Sequence, residues 1–285
     1  MSGRPLSVSR WILHLVLLVS VGIWLLPTLG LLFTSFRVPA DILDSGWWTV
    51  FSRLYDLNQF TLANYMQVID KQGLGRSFLN SLTIALPASA LSTFISAMAA
   101  FGFAWLPFTG RTVLYALVIG LIVVPLQITF IPLLPVYSKL GLSGTFPGIW
   151  LAHVGYGLPL IIYLMYNFIS TLPKSLLECA ILDGASTSQV FFLVVLPVSL
   201  PALASVFIFQ FVWIWNDLLV ALIYLGATAD VAPVTLTLAN LVTNQGQNWE
   251  LLTAAAFVSM VLPLAVFLSL QRYFVKGILA GTVRE

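Results

Sequence analysis

Six stretches of this chain run for more than twenty residues without a single Asp, Glu, Lys or Arg: 11–36, 77–110, 112–138, 140–173, 184–216 and 251–271. Each is long enough to cross about 30 Å of hydrocarbon at ~1.5 Å per residue. Charged side chains avoid such stretches because each costs about 2.5–3.5 kcal/mol at a bilayer centre. The whole chain of 285 residues is 60% hydrophobic and 8% charged, where soluble domains carry about 25% charge. A water-soluble fold is excluded. The net charge of +2 without a Lys/Arg cluster gives no footing for nucleic acid, and a lone Cys179 excludes an internal disulfide or a Cys-rich metal site.

The gaps predict an all-α, polytopic membrane protein forming a single transmembrane domain over 1–285. Its spans fall near 11–36, 78–106, 112–136, 148–170, 198–225 and 251–272. The run 231–249 is also uncharged, but Asn240, Asn244, Gln245, Gln247 and Asn248 would be poorly satisfied in lipid. It reads as an external loop with one short interfacial helix. Residues 37–76 alternate charges with aromatics and read as a folded external insert, with Trp47 and Trp48 near the headgroups. The first run exceeds the 7–15 residues of a signal-peptide core and lacks a small-x-small cleavage site, so it reads as an uncleaved anchor. Lys and Arg are biased to the termini side, seven against five, with four of the five in the 37–76 insert. Both termini are therefore expected in the cytoplasm.

The loop between the fourth and fifth spans, 171–197, carries the most chemistry. Leu176, Leu177, Ala180 and Ile181 share one helical face over 175–183, with Glu178 and Asp183 off it. Gly184 would end that helix, Ser186 and Thr187 can cap a second from about Gln189, and Pro197 and Pro201 would turn the chain back into the membrane. The product is a helix-turn-helix at the membrane surface. A carboxylate at the edge of a half-apolar helix suits a groove on another protein, where Glu178 would meet an Arg or Lys.

The residues Glu178-Cys179-Ala180, Asp183-Gly184-Ala185 and Leu196-Pro197 resemble the E-A-A…D-G-A…L-P signature of permease subunits of ATP-binding-cassette importers, with Cys179 in place of an alanine. Three further runs are similar to the maltose-type carbohydrate branch: Phe60–Tyr65 with Gly75–Ser81, Trp215-Asn216-Asp217, and the closing Gln271-Arg272-Tyr273-Phe274-Val275-Lys276-Gly277…Ala280-Gly281. Ser45-Gly46-Trp47-Trp48 is similar to α-glucoside and glucosylglycerol permeases. The resemblance implies half of a sugar pathway in a bacterial inner membrane, with a homologous second permease, an ATPase dimer and an external sugar-binding protein as partners. It also implies that the 171–197 loop couples to the ATPase. ATP and Mg would be bound by that subunit, with no cofactor in this chain, which has no G-x-x-x-x-G-K-[ST] and not one Gly-Lys pair.

Two other classes stand beside this one. Gly141-Leu142-Ser143-Gly144 is literally the G-x-S-G of rhomboid-type intramembrane proteases, but a serine nucleophile needs a base. The only histidines, His14 and His153, do not lie two spans later as that pattern requires. A secondary transporter would be expected to carry coupling carboxylates at mid-membrane, and only Asp217 falls within a span. No His and carboxylate residues stand at metal spacing. Sugar contacts combine aromatic faces with amides and carboxylates, which makes Trp213, Asn216, Asp217, Tyr156 and Asn167 the candidate pathway residues.

Overall fold

The structure is a computed structural model and describes residues 8–280 apart from 54, 227, 229 and 244–247, with side chains described from residue 10 to 271 apart from these and 243. Among the described residues it is all-helical, with no strand and one isolated bridge between Arg37 and Phe60. Four helices are long and apolar enough to span: α1 (Val8–Phe36), α2 (Leu74–Trp105), α5 (Phe146–Ile169) and α10 (Trp249–Ala280). Two bent pairs bring the total to six if each pair is one crossing.

The first bent pair is α3 (Arg111–Ile122) with α4 (Gln127–Lys139), meeting at 104°. The sequence predicts one continuous span over 112–136. Pro125 breaks it, because proline offers no N–H to the helix and disfavours helical backbone in the residue before it. The second pair joins the segment Thr187–Val198 to α7 (Leu200–Trp215) at 76°, at the predicted turn between Pro197 and Pro201. The fifth span is also shorter than its predicted 198–225. α7 ends at Trp215, and a separate α8 (Leu219–Leu225) follows after Asn216–Leu218. Polar side chains near that break satisfy the freed backbone: Asn216 Nδ2 donates to the Val212 carbonyl, and the Asp217 carboxylate accepts from the amides of Val220 and Ala221 at 3.3 and 3.1 Å. A short α9 (Val234–Thr243) occupies the uncharged 231–249 run, and Asn244, Gln245 and Gln247 lie outside the described residues. So do Gly281 and the side chains of Arg272 through Ala280 in the closing motif.

The chain divides into two compact units, Met1–Gly75 with Leu238–Ser259, and Arg76–Thr237 with Met260–Glu285. In the first, α1 leads into the insert, whose interior is organised by Arg37. Its side chain is buried, and its guanidinium donates to the carbonyls of Asp41, Ser45 and Gly46 and to the hydroxyls of Ser45 and Thr49. Asn64 Nδ2 ties the far end of the insert to the Ser35 and Arg37 carbonyls. In the second unit, α2 buries a polar stripe, Ser77, Asn80, Ser81, Ser89, Ser92, Thr93 and Ser96. Its amino end holds the chain that enters α9: Asn80 donates to the Asp230 and Ala232 carbonyls, Ser81 accepts from the Val234 amide, and Arg76 pairs with Asp230 at 2.8 Å.

Candidate functional site

The 171–197 loop forms a hairpin. α6 (Lys174–Leu182) follows Pro173 and ends at Gly184, whose φ of +85° is open to glycine and strained for other residues. The Gly184 and Ala185 amides donate to the Ile181 and Ala180 carbonyls, both at 3.0 Å, closing the helix in the manner of a left-handed glycine terminus. Ser186 then caps the next helix, which begins at Thr187, through reciprocal bonds with Gln189.

Leu177, Val190, Phe191 and Val195 are buried in one apolar cluster with Ala97, Phe101, Ile161, Met165 and Ile169, and Leu176, Ala180, Ala185 and Leu196 pack on it. The hairpin is thereby rooted on α2 and α5. Glu178, Cys179, Asp183, Gly184 and Pro197 stay exposed. Ile181 departs from its expected place on the buried face: it is 61% exposed and Leu182 86%. A helix of nine residues has only two and a half turns, and Leu177 with Ala180 already fill the side that meets the cluster. The result is an outward edge in which two large apolar side chains sit between carboxylates.

The candidate pathway residues separate. Tyr156 and Trp213 line a cleft of about 680 Å³ among α3, α4, α5 and α7. Trp213 also borders a second cleft, of about 660 Å³, with Asn216 and Asp217. Asn167 lies on neither and is exposed near the end of α5. Asp217 faces His153, whose Nε2 is 3.9 Å from Oδ2, and the His153 ring meets Trp213 edge-on at 5.7 Å. The Thr235 hydroxyl donates to the Asp217 carbonyl, so this one residue holds α8 and the start of α9. Among the described residues, neither cleft has a Lys, Arg or Glu in its wall.

Gln210 and a hydroxyl chain from Thr129 through Tyr156 to Tyr224 belong to the same region and escape a search for charge. Gln210 is buried on the first cleft, with Nε2 at 3.4 Å from the His153 carbonyl and 3.5 Å from the Ser92 hydroxyl. It fits against Gly157, where a Cβ would overlap its amide. Tyr156 Oη lies 2.7 Å from Thr129 Oγ1 and 2.8 Å from Tyr224 Oη. Neutral amides inside an uncharged run were the available signal.

Ser143 is an exposed turn residue between Gly141 and Gly144, both at positive φ, and no hydrogen bond joins it to a histidine among the described residues.

Comparison with known proteins bears on these features. The family described as binding-protein-dependent transport system inner membrane component matches residues 92–279. The osmoprotective compounds uptake permease protein GgtD of Synechocystis sp. is 56% identical over 273 residues, covering 96% of this chain and 92% of its own length. The alpha-glucoside transport system permease protein AglG of Rhizobium meliloti is 39% identical, with 98% of each chain covered. Among solved structures, a bacterial ABC transporter that imports the acidic polysaccharide alginate has a chain of the same fold, with TM-score 0.75 at 21% identity over 95% of this chain and 100% of that one.

Proposed function

Because the chain belongs to the family of binding-protein-dependent transport system inner membrane components, we propose that it forms half of the membrane pathway of an ATP-driven sugar importer and couples to a separate ATPase subunit through the 171–197 hairpin. The observation that carries the coupling role is the hairpin's division of labour. Its inner side is buried in the α2 and α5 cluster, and its outer edge leaves Glu178, Ile181, Leu182 and Asp183 without cover. Exposed Leu beside carboxylates fits a groove whose floor is apolar and whose rim is basic. Movement of such a groove reaches α5 and α7 through side chains that are already close-packed. ATP binding then shifts the spans between outward and inward states by favouring one of them.

The substrate fitted by the clefts is a neutral, hydroxyl-rich solute of the α-glucoside class. Among the described residues their polar groups are uncharged amides, hydroxyls and indoles, apart from one carboxylate already engaged by backbone amides. The names of the relatives, an osmoprotectant permease and an α-glucoside permease, support that class. A homologous second permease and an external binding protein complete the assembly, with both termini of this chain in the cytoplasm. The test is co-expression with those partners and reconstitution in proteoliposomes. ATP-dependent uptake of a labelled α-glucoside, lost when this chain is left out, is the expected result. Uptake that follows an ion gradient and ignores ATP would support a secondary transporter instead.

A further inference from the structure

The insert that follows α1 turns back onto it. Trp47–Arg53 is a 3-10 helix, in which residues three apart stand in line. Three rows result. Trp47 and Val50 face inward, with Val50 fully buried and the Trp47 indole against Gly30 of α1. Thr49 and Ser52 make local hydrogen bonds to carbonyls. Trp48 and Phe51 form the third row, 63% and 53% exposed.

The height of that row on α1 is set by ring contacts. Phe51 meets Phe33 edge-on at 5.3 Å, and Trp47 stacks over Phe33 at 6.4 Å. The spanning part of α1, Arg10–Phe36, has 27 residues, about 40 Å at ~1.5 Å per residue. That is the thickness of the hydrocarbon with its headgroup layers, about 40–45 Å. With α1 centred across those layers, its last ~5 Å would lie in the headgroup layer and Phe33 at the boundary with the acyl chains. The exposed row stands beside it. Only 6% of the α1 window is buried by the rest of this chain.

We propose that Trp48 and Phe51 are immersed at the headgroup–acyl boundary of the leaflet at the carboxyl end of α1, making the Trp47–Arg53 turn a lipid anchor that sets the depth and tilt of the first span. An indole and a phenyl ring on one edge are the side chains that such a boundary favours. Arg53, at the end of the same turn, keeps an exposed side chain 3.9 Å from Asp41. Arg37 holds the turn closed from within, so the anchor is preformed. The inference rests on α1 spanning a bilayer and not on which solute is carried.

The test uses the assembled importer in lipid nanodiscs. Trp48→Cys, Phe51→Cys and Ser52→Cys, each in a Cys179→Ala background, are labelled with nitrobenzoxadiazole. Labels at 48 and 51 should be quenched by phospholipid carrying a nitroxide at acyl carbon 5 and little by aqueous iodide, with the reverse at 52. A photoactivated diazirine phospholipid should also mark peptide 47–53 in the unaltered complex, which keeps the test independent of how well the variants assemble. Iodide quenching at 48 and 51 without nitroxide quenching overturns the proposal. So does protection from both quenchers that disappears when the second permease or the binding protein is omitted, since protein rather than lipid would then cover the row.

Discussion

The insert after α1 and the hairpin before α7 are both folded loops, and they use charge in opposite ways. Arg37 is turned inward, 2% exposed, and its guanidinium builds the insert by gathering carbonyls of Asp41, Ser45 and Gly46. Glu178 and Asp183 are turned outward, and the hairpin stands without them on Leu177, Val190, Phe191 and a glycine turn. Asp217 is intermediate: it is partly exposed, yet its carboxylate is engaged by the amides of α8. Charge that folds a loop and charge that is held ready for another protein look alike in a sequence. They differ in what replacing them should do.

Replacing Arg37 should have the largest effect. Arg37→Ala removes the guanidinium bonds that tie residues 41–49 together and leaves the Ser45 carbonyl without its donor, so it should destabilise the insert by about 3 kcal/mol, seen as loss of chain from the membrane or a lower unfolding midpoint in detergent. Arg37→Lys should recover only part, because an ammonium cannot span the same set of acceptors. Gly184→Val comes next. A β-branched residue at a φ of +85° strains the turn by about 1–2 kcal/mol, and uptake should fall several-fold even where the complex still assembles.

Glu178→Ala should keep normal membrane levels and unfolding midpoint while transport per ATP hydrolysed declines. Loss of a charge-assisted contact worth about 1.5–3 kcal/mol corresponds to roughly ten- to a hundredfold weaker docking. If Glu178→Ala behaved like Arg37→Ala, the contrast between the two loops would collapse. Asp217→Asn should cost about 1 kcal/mol, because an amide offers one acceptor oxygen where the carboxylate offers the Val220 and Ala221 amides two, with the half-saturating sugar concentration unchanged. A tenfold rise in that concentration at normal stability would instead make Asp217 a sugar ligand. Ser143→Ala should change nothing, and labelling of Ser143 by a fluorophosphonate would revive the protease reading.

Much of this was legible before the structure. Charge-free gaps fall on unbroken helices, for instance 148–170 on the helix Phe146–Ile169, since a helix that lipid would surround excludes charge. The turn at Gly184 and the cap at Ser186 were legible because few residues tolerate those roles. The break at Pro125 was not, since a proline interrupts no hydrophobic run. Ile181 was placed on the wrong face because nine residues hold too few turns to separate neighbouring rows. Gln210 and Tyr224 were missed because neutral polar groups leave a charge-free gap intact. Arg37 was counted as an ordinary loop charge, since only the folded insert reveals the carbonyls that converge on it.

Cys179 offers the most direct measurement of the coupling role. It is the chain's only cysteine, it is exposed, and it neighbours Glu178 on the hairpin's outer side. A photoactivatable cross-linker attached there in the intact importer should join this chain to the ATPase subunit, and the product should vanish in Cys179→Ser. An ATPase that co-purifies but cross-links only from other positions, with Cys179 reacting with lipid or water, would contradict the assignment of the hairpin as the coupling element.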